Sequence, residues 1–395
     1  MKIGIIGYNL FAIGGTARSN INLMTELVRN NEVVYYFNYA YFTQKDIKKF
    51  INQHSLFEKV NFNSVINLFN RQHLPDDIDY LIITREDLFP LSKLLHELFP
   101  NAELIGEIHT PLPLLPQQLD GLADLSCVRV ANQRIQRQFA QKYHYSNIFV
   151  QTVNAGHIHW NIKETKENTT NNFVISSRFA ENQKDIMYAL KLFNELHKRG
   201  AKQYHLFLKG TGPDKWKYKK YIKEHNLTQM ISFTKQLPSN FVYLSTSRFE
   251  TFGYSIMEAI ANHHPVLAYV GDDKSIEQIY SAFPSITWFT KQNINDDIQK
   301  LIKISKFKIT KEIYQEDLAE FNKLTCNKNY VQALFRHFSQ FNKVQSTVCL
   351  SSEGLDNLKS QIEQKLGKMN PNIFKKIYYC LRKIPIFDQI FKLIH

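Results

Sequence analysis

The sequence predicts an α/β protein built from two doubly wound domains. Short apolar runs alternate with helical patterns from residue 2 to residue 150. A polar, aperiodic stretch (NIKETKENTTNN, 161–172) then interrupts the pattern, and the same alternation restarts at residue 173. The chain therefore divides into an N-terminal domain at 1–160, a linker at 161–172 and a second domain at 173–310. Helices at 311–341 return toward the first domain, and a basic amphipathic helical tail occupies 342–395.

In the first domain, Lys2–Ile6 reads as a buried strand entering a glycine turn, and Ala17–Arg29 as a helix. Strand Glu32–Phe37 and helix Asp46–Gln53 follow. Then come strand Tyr80–Thr84, helix Leu88–Phe99 and strand Glu103–Ile108. Strands Ser126–Val130 and Asn147–Val150 flank helix Gln133–Lys142. In the second domain, strand Phe173–Ser176 precedes helix Lys184–Arg199, and strand Tyr204–Lys209 precedes helix Lys215–His225. Strands Ile231–Phe233 and Phe241–Leu244, helix Tyr254–Asn262 and strand Val266–Tyr269 complete the pattern.

Composition narrows the function. The 395 residues are 44% hydrophobic and 22% charged, which is globular rather than disordered. Lys and Arg exceed Asp and Glu by 49 − 36 = 13, which points to an anionic partner. The four cysteines (Cys127, Cys326, Cys349, Cys380) are dispersed without a C-x-x-C, so neither a disulfide scaffold nor a zinc ribbon is expected. No apolar run is long enough to span a bilayer, and the N-terminus lacks a leader pattern, so a cytoplasmic protein is expected.

The strongest chemical signal is Ser245-Thr-Ser-Arg-Phe-Glu250-Thr251-Phe252-Gly253-Tyr-Ser-Ile-Met-Glu258-Ala. A strand ends, a glycine turn follows and a helix opens, with two carboxylates eight residues apart. Free amides at a helix start attract anions or ligand oxygens, and open α/β sheets bind ligands at the carboxyl ends of their strands. Taken alone, two such glutamates are most simply solvated surface groups. Upstream, Ser177-Arg178-Phe-Ala-Glu-Asn-Gln-Lys184 places two cations after a strand, Gly210-Thr-Gly212 forms a second post-strand glycine turn, and Gly14-Gly15 occupies the first βα loop. That loop is not the dinucleotide fingerprint, because G-x-G-x-x-G does not occur there.

Together these stretches resemble the retaining glycosyltransferases of family 4, which have the two-domain GT-B fold. The Glu250–Glu258 block matches their E-x7-E motif, and the resemblance covers roughly residues 1–340. It implies a nucleotide-activated hexose as donor, UDP-glucose or UDP-N-acetylglucosamine. Arg178 and Lys184 would hold the diphosphate, Glu250 the sugar, and Glu258 the ribose. Gly15, Gly210, Thr251, Phe252 and Gly253 would let backbone approach the nucleotide sugar. His109, at the end of a first-domain strand, would reach the sugar from across the cleft, and Glu107 is a weaker candidate beside it. No metal and no cofactor is implied, because cations offset the leaving charge. Two departures stand out. Ala155-Gly156-His157 replaces the usual N-G-[VI]-D, and the glycine-rich segment expected after Val270 is replaced by Gly271-Asp-Asp-Lys-Ser275-Ile-Glu277.

The first-loop sequence Gly14-Gly15-Thr-Ala-Arg18 and the glutamate block look most like bacterial enzymes acting on teichoic acid or surface polysaccharides. An anionic polymer or lipid-linked glycan acceptor fits the positive charge. Alternatives are a protein O-glycosyltransferase and an inactive GT-B partner subunit. A nucleic-acid binder is not expected. The lysine- and aromatic-bearing stretch Lys215–Lys223 reads as a solvated helix, and Asp77-Ile-Asp79 precedes its strand, unlike the metal motif of the other major transferase fold. The apolar stripe Ile373–Ile394, flanked by Lys375, Lys376, Arg382, Lys383 and Lys392, reads as an anionic-membrane contact at 371–395, on the inner face of the cell membrane. Packing of that stripe against the body is the alternative.

Overall fold

The computed structural model describes residues 1–12, 14–162, 169–325, 329–344 and 350–369. In the first domain the chain runs β1 (Lys2–Gly7), α1 (Gly15–Arg29), β2 (Val33–Asn38), α2 (Gln44–Gln53), β3 (Asn61–Ser64), α3 (Ile66–Asn70) and β4 (Tyr80–Ile83). It continues through α4 (Ser92–Leu98), β5 (Glu103–Glu107), β6 (Cys127–Val130), α5 (Gln133–Tyr143) and β7 (Ile148–Val150). The second domain holds β8 (Asn172–Ser176), α6 (Glu181–Lys184), α7 (Ile186–Lys198), β9 (His205–Lys209), α8 (Lys215–Glu224), β10 (Ile231–Phe233) and β11 (Val242–Ser245). After them come α9 (Tyr254–Ala261), β12 (Val266–Tyr269), α10 (Ser275–Tyr280), β13 (Ile286–Phe289) and α11 (Ile294–Ser305). Helices α12 (Lys311–Thr325), α13 (Tyr330–Phe338) and α14 (Ser352–Met369) follow.

Each domain carries one all-parallel sheet. The orders are β3-β2-β1-β4-β5-β6-β7 and β10-β9-β8-β11-β12-β13. Strands buried on both faces explain the near-continuous apolar runs, such as Ile3, Ile5 and Ile6 in β1 and Phe173, Val174 and Ile175 in β8, all almost fully buried. The order reverses between β1 and β4 in one sheet and between β8 and β11 in the other. A crevice opens outside the carboxyl ends of the strands at such a reversal, and ligands of doubly wound folds bind there. Both reversals therefore mark where to look. The architecture is GT-B: two Rossmann-like parallel-sheet domains.

Two local differences from the sequence reading have simple causes. Expected as one helix over 88–99, the chain instead makes a 3-10 segment at Glu86–Leu91, and the α-helix starts only at Ser92. Pro90 supplies no amide donor and disfavours an α conformation before it. Strand β3 has the sequence NFNS and lies at a sheet edge, so it lacks the apolar run that marks a strand.

The C-terminal helices divide between the domains. Phe321 of α12 joins the core cluster under α9 in the second domain. Tyr330, Val331, Leu334 and Phe338 of α13 pack into the first domain beneath β1 and α1. Helix α14 also packs on the first domain, where Ile362 is buried and its carbonyl accepts from the Tyr39 hydroxyl at 3.0 Å. The stripe 371–395 lies outside the described residues. Among the described residues, no helix is long and apolar enough to cross a membrane.

Candidate functional site

Strands β8 and β11 flank the second-domain reversal, and their loops carry the predicted cations and carboxylates. The loops are stitched together by backbone. The Arg248 amide donates to the Gln183 carbonyl at 2.8 Å, and the Thr246 hydroxyl to the Lys184 carbonyl at 3.0 Å. The Gln183 side-chain amide reaches the Phe249 carbonyl at 3.4 Å. These bonds bring the Lys184 ammonium into a direct ion pair with Glu250 Oε1, with both side chains only 14% exposed. The groups expected to hold phosphate and sugar are therefore immediate neighbours. A nucleotide sugar requires this, because its anomeric carbon is bonded to a phosphate oxygen.

Arg178 projects from the end of β8 with an exposed side chain. Its loop is braced by the glycine turn after β9. A Cβ at Gly210 would lie 1.9 Å from the Ser177 carbonyl oxygen, and one at Gly212 would lie 2.2 Å from that of Phe179. The Phe179 amide donates to the Thr211 carbonyl at 2.8 Å. The two glycines thus let two loops touch backbone to backbone, which fixes the segment bearing Arg178.

Gly253 takes the left-handed conformation (φ 77°) and starts α9. The first amides of a helix have no partner inside it, so this turn presents donors beside Glu250. Thr251 lies in the turn. Phe252 turns its ring inward, where it is 2% exposed and packs against Tyr254 and Tyr280, leaving only its backbone to face a ligand. The Glu258 carboxylate is 55% exposed, one helical turn and a half farther on. In the first domain, a Cβ on Gly14 or Gly15 would meet no atom within 4 Å, so the start of α1 is open to close approach.

His109 and Glu107 do not act as separate groups. In the parallel register of β5 and β6, Glu107 lies directly opposite Arg129. The Glu107 carboxylate accepts from Arg129 Nε at 3.0 Å and from His109 Nε2 at 2.8 Å. Burial opposes its charge, but the guanidinium and the imidazole outweigh burial and hold its carboxyl below the usual range. Arg129 also donates to the Tyr330 hydroxyl at 2.8 Å, which ties α13 to the network. Glu107 is thus committed to its neighbours. It holds the His109 ring in place, with Nε2 donating to the carboxylate.

Sequence reasoning missed a third cluster, at the junction of the domains. The Asn22 amide of α1 donates to the Asn154 carbonyl at 2.7 Å and to His157 Nδ1 at 2.8 Å. The Tyr254 hydroxyl, on the first residue of α9, donates to that same carbonyl at 3.0 Å. Burial pushes the Tyr254 phenol well up, so it remains a neutral donor. With Nδ1 accepting, His157 presents Nε2–H toward Glu258 Oε1, 3.8 Å away. His157, the departure from the family pattern, is thus held by α1 with its Nε2 near, but not hydrogen-bonded to, the second glutamate. The sequence offered only that departure as a signal.

Among the described residues, no group of three or more His, Cys, Asp or Glu is arranged to hold a metal ion. Asp77 and Asp79 are engaged by the side chain and amide of Lys2 at the far end of β1.

Residues 159–320 match the family described as glycosyl transferases group 1. The matched segment runs from just before β8 into α12 and so takes in the whole second sheet. A poly(glycerol-phosphate) alpha-glucosyltransferase of Bacillus subtilis (strain 168) is 26% identical over 207 residues, which is 51% of this chain and 29% of that protein. The chain thus aligns with less than a third of that relative's length. Among solved structures, S. aureus TarM in complex with UDP and alpha-GlcNAc-glycerol superposes with a TM-score of 0.64 at 13% identity, covering 86% of this chain and 99% of that one. The lipopolysaccharide outer core galactosyltransferase WaaB superposes at 0.58 and 15%, covering 85% and 99%. At these identities the likeness is one of fold.

Proposed function

We propose that the chain transfers a hexose, glucose or N-acetylglucosamine, from its UDP-activated form to a bacterial cell-surface polymer of the teichoic-acid or surface-polysaccharide class, with retention of configuration. The observation that carries this reading is the contact of Lys184 with Glu250 at the β8/β11 reversal, inside a glycosyl transferase group 1 domain. The B. subtilis relative, named for poly(glycerol phosphate), and TarM, solved with UDP, support donor and acceptor class.

In this reading Arg178 and Lys184 stabilise the departing diphosphate, and the amides of the Thr251–Gly253 turn hold its oxygens. Glu250 holds sugar hydroxyls and stabilises positive charge developing at the anomeric carbon. Glu258 accepts from the ribose hydroxyls. His109, oriented by Glu107, contacts the sugar from the first domain. The acceptor enters on the face the diphosphate leaves, and the leaving phosphate takes its proton, so no separate base is needed. Cations replace a metal ion in this scheme. The enzyme would work in the cytoplasm, at the inner membrane face, where the stripe 371–395 contacts anionic lipid.

A panel of nucleotide sugars tests the reading through thermal stabilisation and hydrolysis, with and without EDTA. A UDP-hexose should raise the melting temperature and be hydrolysed slowly in either condition. No response to any UDP-sugar, or activity lost in EDTA and restored by Mn²⁺, would overturn it.

A further inference from the structure

A second cavity, of about 340 Å³, lies between the two domains away from the Lys184–Glu250 pair. Arg134 and Arg137 of α5 line one wall; Lys274, Glu277, Gln278 and Ser281 line the other. Each wall is one face of one helix. The arginines are three apart on α5, whose opposite side buries Ile135 and Phe139. The second set recurs at helical spacing along α10 and its two cap residues, and the opposite side of that helix buries Ile276 and Tyr280.

That buried side connects the cavity to the donor site. Tyr280 packs beside Phe252, and a Cβ at Gly253 would touch Ile276 at 3.1 Å. The cavity therefore lies one helix thickness behind the Thr251–Gly253 turn. Arg134, Arg137 and Lys274 make no ion pair with any described residue, and Arg134 Nε is buried without a hydrogen-bond acceptor. Nearby cations elsewhere are spent: Arg248 pairs with Asp272 at 2.8 Å and Lys291 with Asp185 at 2.6 Å. Three cations against the single carboxylate of Glu277 leave the groove net positive, which suits an anion.

The remaining lining narrows the anion. No aromatic ring faces the cavity, so it offers no platform for stacking bases. Guanidinium groups suit phosphate oxygens, while the carboxylate, amide and hydroxyl of Glu277, Gln278 and Ser281 suit alcohol hydroxyls. We infer that this groove binds the acceptor as a polyol chain joined by phosphodiesters, gripping phosphates farther along the chain than the unit being glycosylated. The inference rests on the transferase reading above, chooses the phosphodiester-linked polymer over a neutral polysaccharide, and adds the surface that holds it.

The test is fluorescence anisotropy of the full chain with a labelled poly(glycerol phosphate) oligomer, read against salt. Arg134→Gln/Arg137→Gln/Lys274→Gln should bind at least about tenfold more weakly. The slope of log K against log salt should fall by about one for each cation removed. Lys274→Gln alone, an exposed change, should give a graded part of both effects. Melting temperature and acceptor-free UDP-sugar hydrolysis should stay at wild-type level in both variants. Wild-type affinity in the triple variant would overturn the inference. So would absence of polymer binding by the wild type, or equal binding of neutral dextran or single-stranded DNA. Lack of UDP-sugar hydrolysis by the wild type would instead sink the transferase reading, because polymer binding is measured directly and without donor.

Discussion

Glu250→Gln removes one charge and almost no volume, and its consequences differ for stability, nucleotide binding and turnover. The partner Lys184 is 14% exposed, so the pair is neither a surface bridge nor fully buried. Exposed pairs contribute about 0–1 kcal/mol, and removing one partner of a buried pair costs about 3–5 kcal/mol. A value of about 2 kcal/mol is reasonable between these limits, a fall in melting temperature of about 4–8 °C for a domain of this size. Nucleotide binding should move the other way. With its carboxylate partner gone, Lys184 no longer divides its charge, so UDP should bind as tightly as to wild type or up to about tenfold tighter. Turnover should fall by about 10²–10³, the usual loss when a group aimed at developing charge is neutralised. Lys184→Ala reverses the middle term, weakening UDP binding. Differential scanning fluorimetry, calorimetric titration with UDP and UDP release from UDP-hexose read the three quantities. Turnover within fivefold of wild type would refute the role given to Glu250. Weakened UDP binding in Glu250→Gln would refute the competition for Lys184.

Three further outcomes are expected. Gly212→Ala forces a methyl to 2.2 Å from the Phe179 carbonyl oxygen and should cost about 2–3 kcal/mol, with UDP binding weakened as the Arg178 loop shifts; an unchanged melting temperature would show that the loops do not brace each other. Burial lowers the His264 pKa from 6.5 to about 4, so its folded-state contribution is present above pH 6.5 and lost as pH falls toward 4; His264→Gln should flatten that limb by up to about 3 kcal/mol, measured as the wild-type-minus-variant difference in unfolding free energy between pH 4 and 7. Deleting 371–395 should abolish sedimentation with anionic vesicles and leave UDP-hexose hydrolysis intact, since five basic residues near such a surface contribute about 1 kcal/mol each; salt-insensitive binding, or none by the full chain, would discount the membrane contact.

The sequence made the fold legible wherever burial on two faces demanded apolar runs. It failed where that demand lapsed, at the polar edge strand β3, and where one proline converted a helix start to a 3-10 segment. The second-domain site was legible for a related reason. Arg178 and Gly210 sit just after strand ends, and Lys184, Glu250, Gly253 and Glu258 lie in the loops and helix starts that follow β8 and β11, and strand ends are recoverable from hydrophobic pattern. The contact of Lys184 with Glu250 crosses 66 residues, but both ends were already placed by adjacent strands. The domain junction was not legible in this way. Asn22 and His157 are 135 residues apart, and Tyr254 reaches Asn154 across 100, with no strand pairing to align them.

Glu107 shows where local reading changes meaning once the sheet order is known. As a lone carboxylate near His109, it invited a role toward substrate. The parallel register of β5 and β6 sets it opposite Arg129, and a buried arginine in a central strand needs a compensating charge. Glu107 supplies that charge and accepts from His109 with its other oxygen, so each of its oxygens already has a partner within the protein. Tyr330 binds the far side of the guanidinium from α13, which reaches the first domain only after the whole second domain has been traversed. The orientation of His109 at the cleft thus depends on a helix that closes the chain back onto its first sheet. Loss of the Tyr330 hydroxyl would act on His109 through Arg129 and Glu107, three contacts away, without touching the nucleotide side of the site.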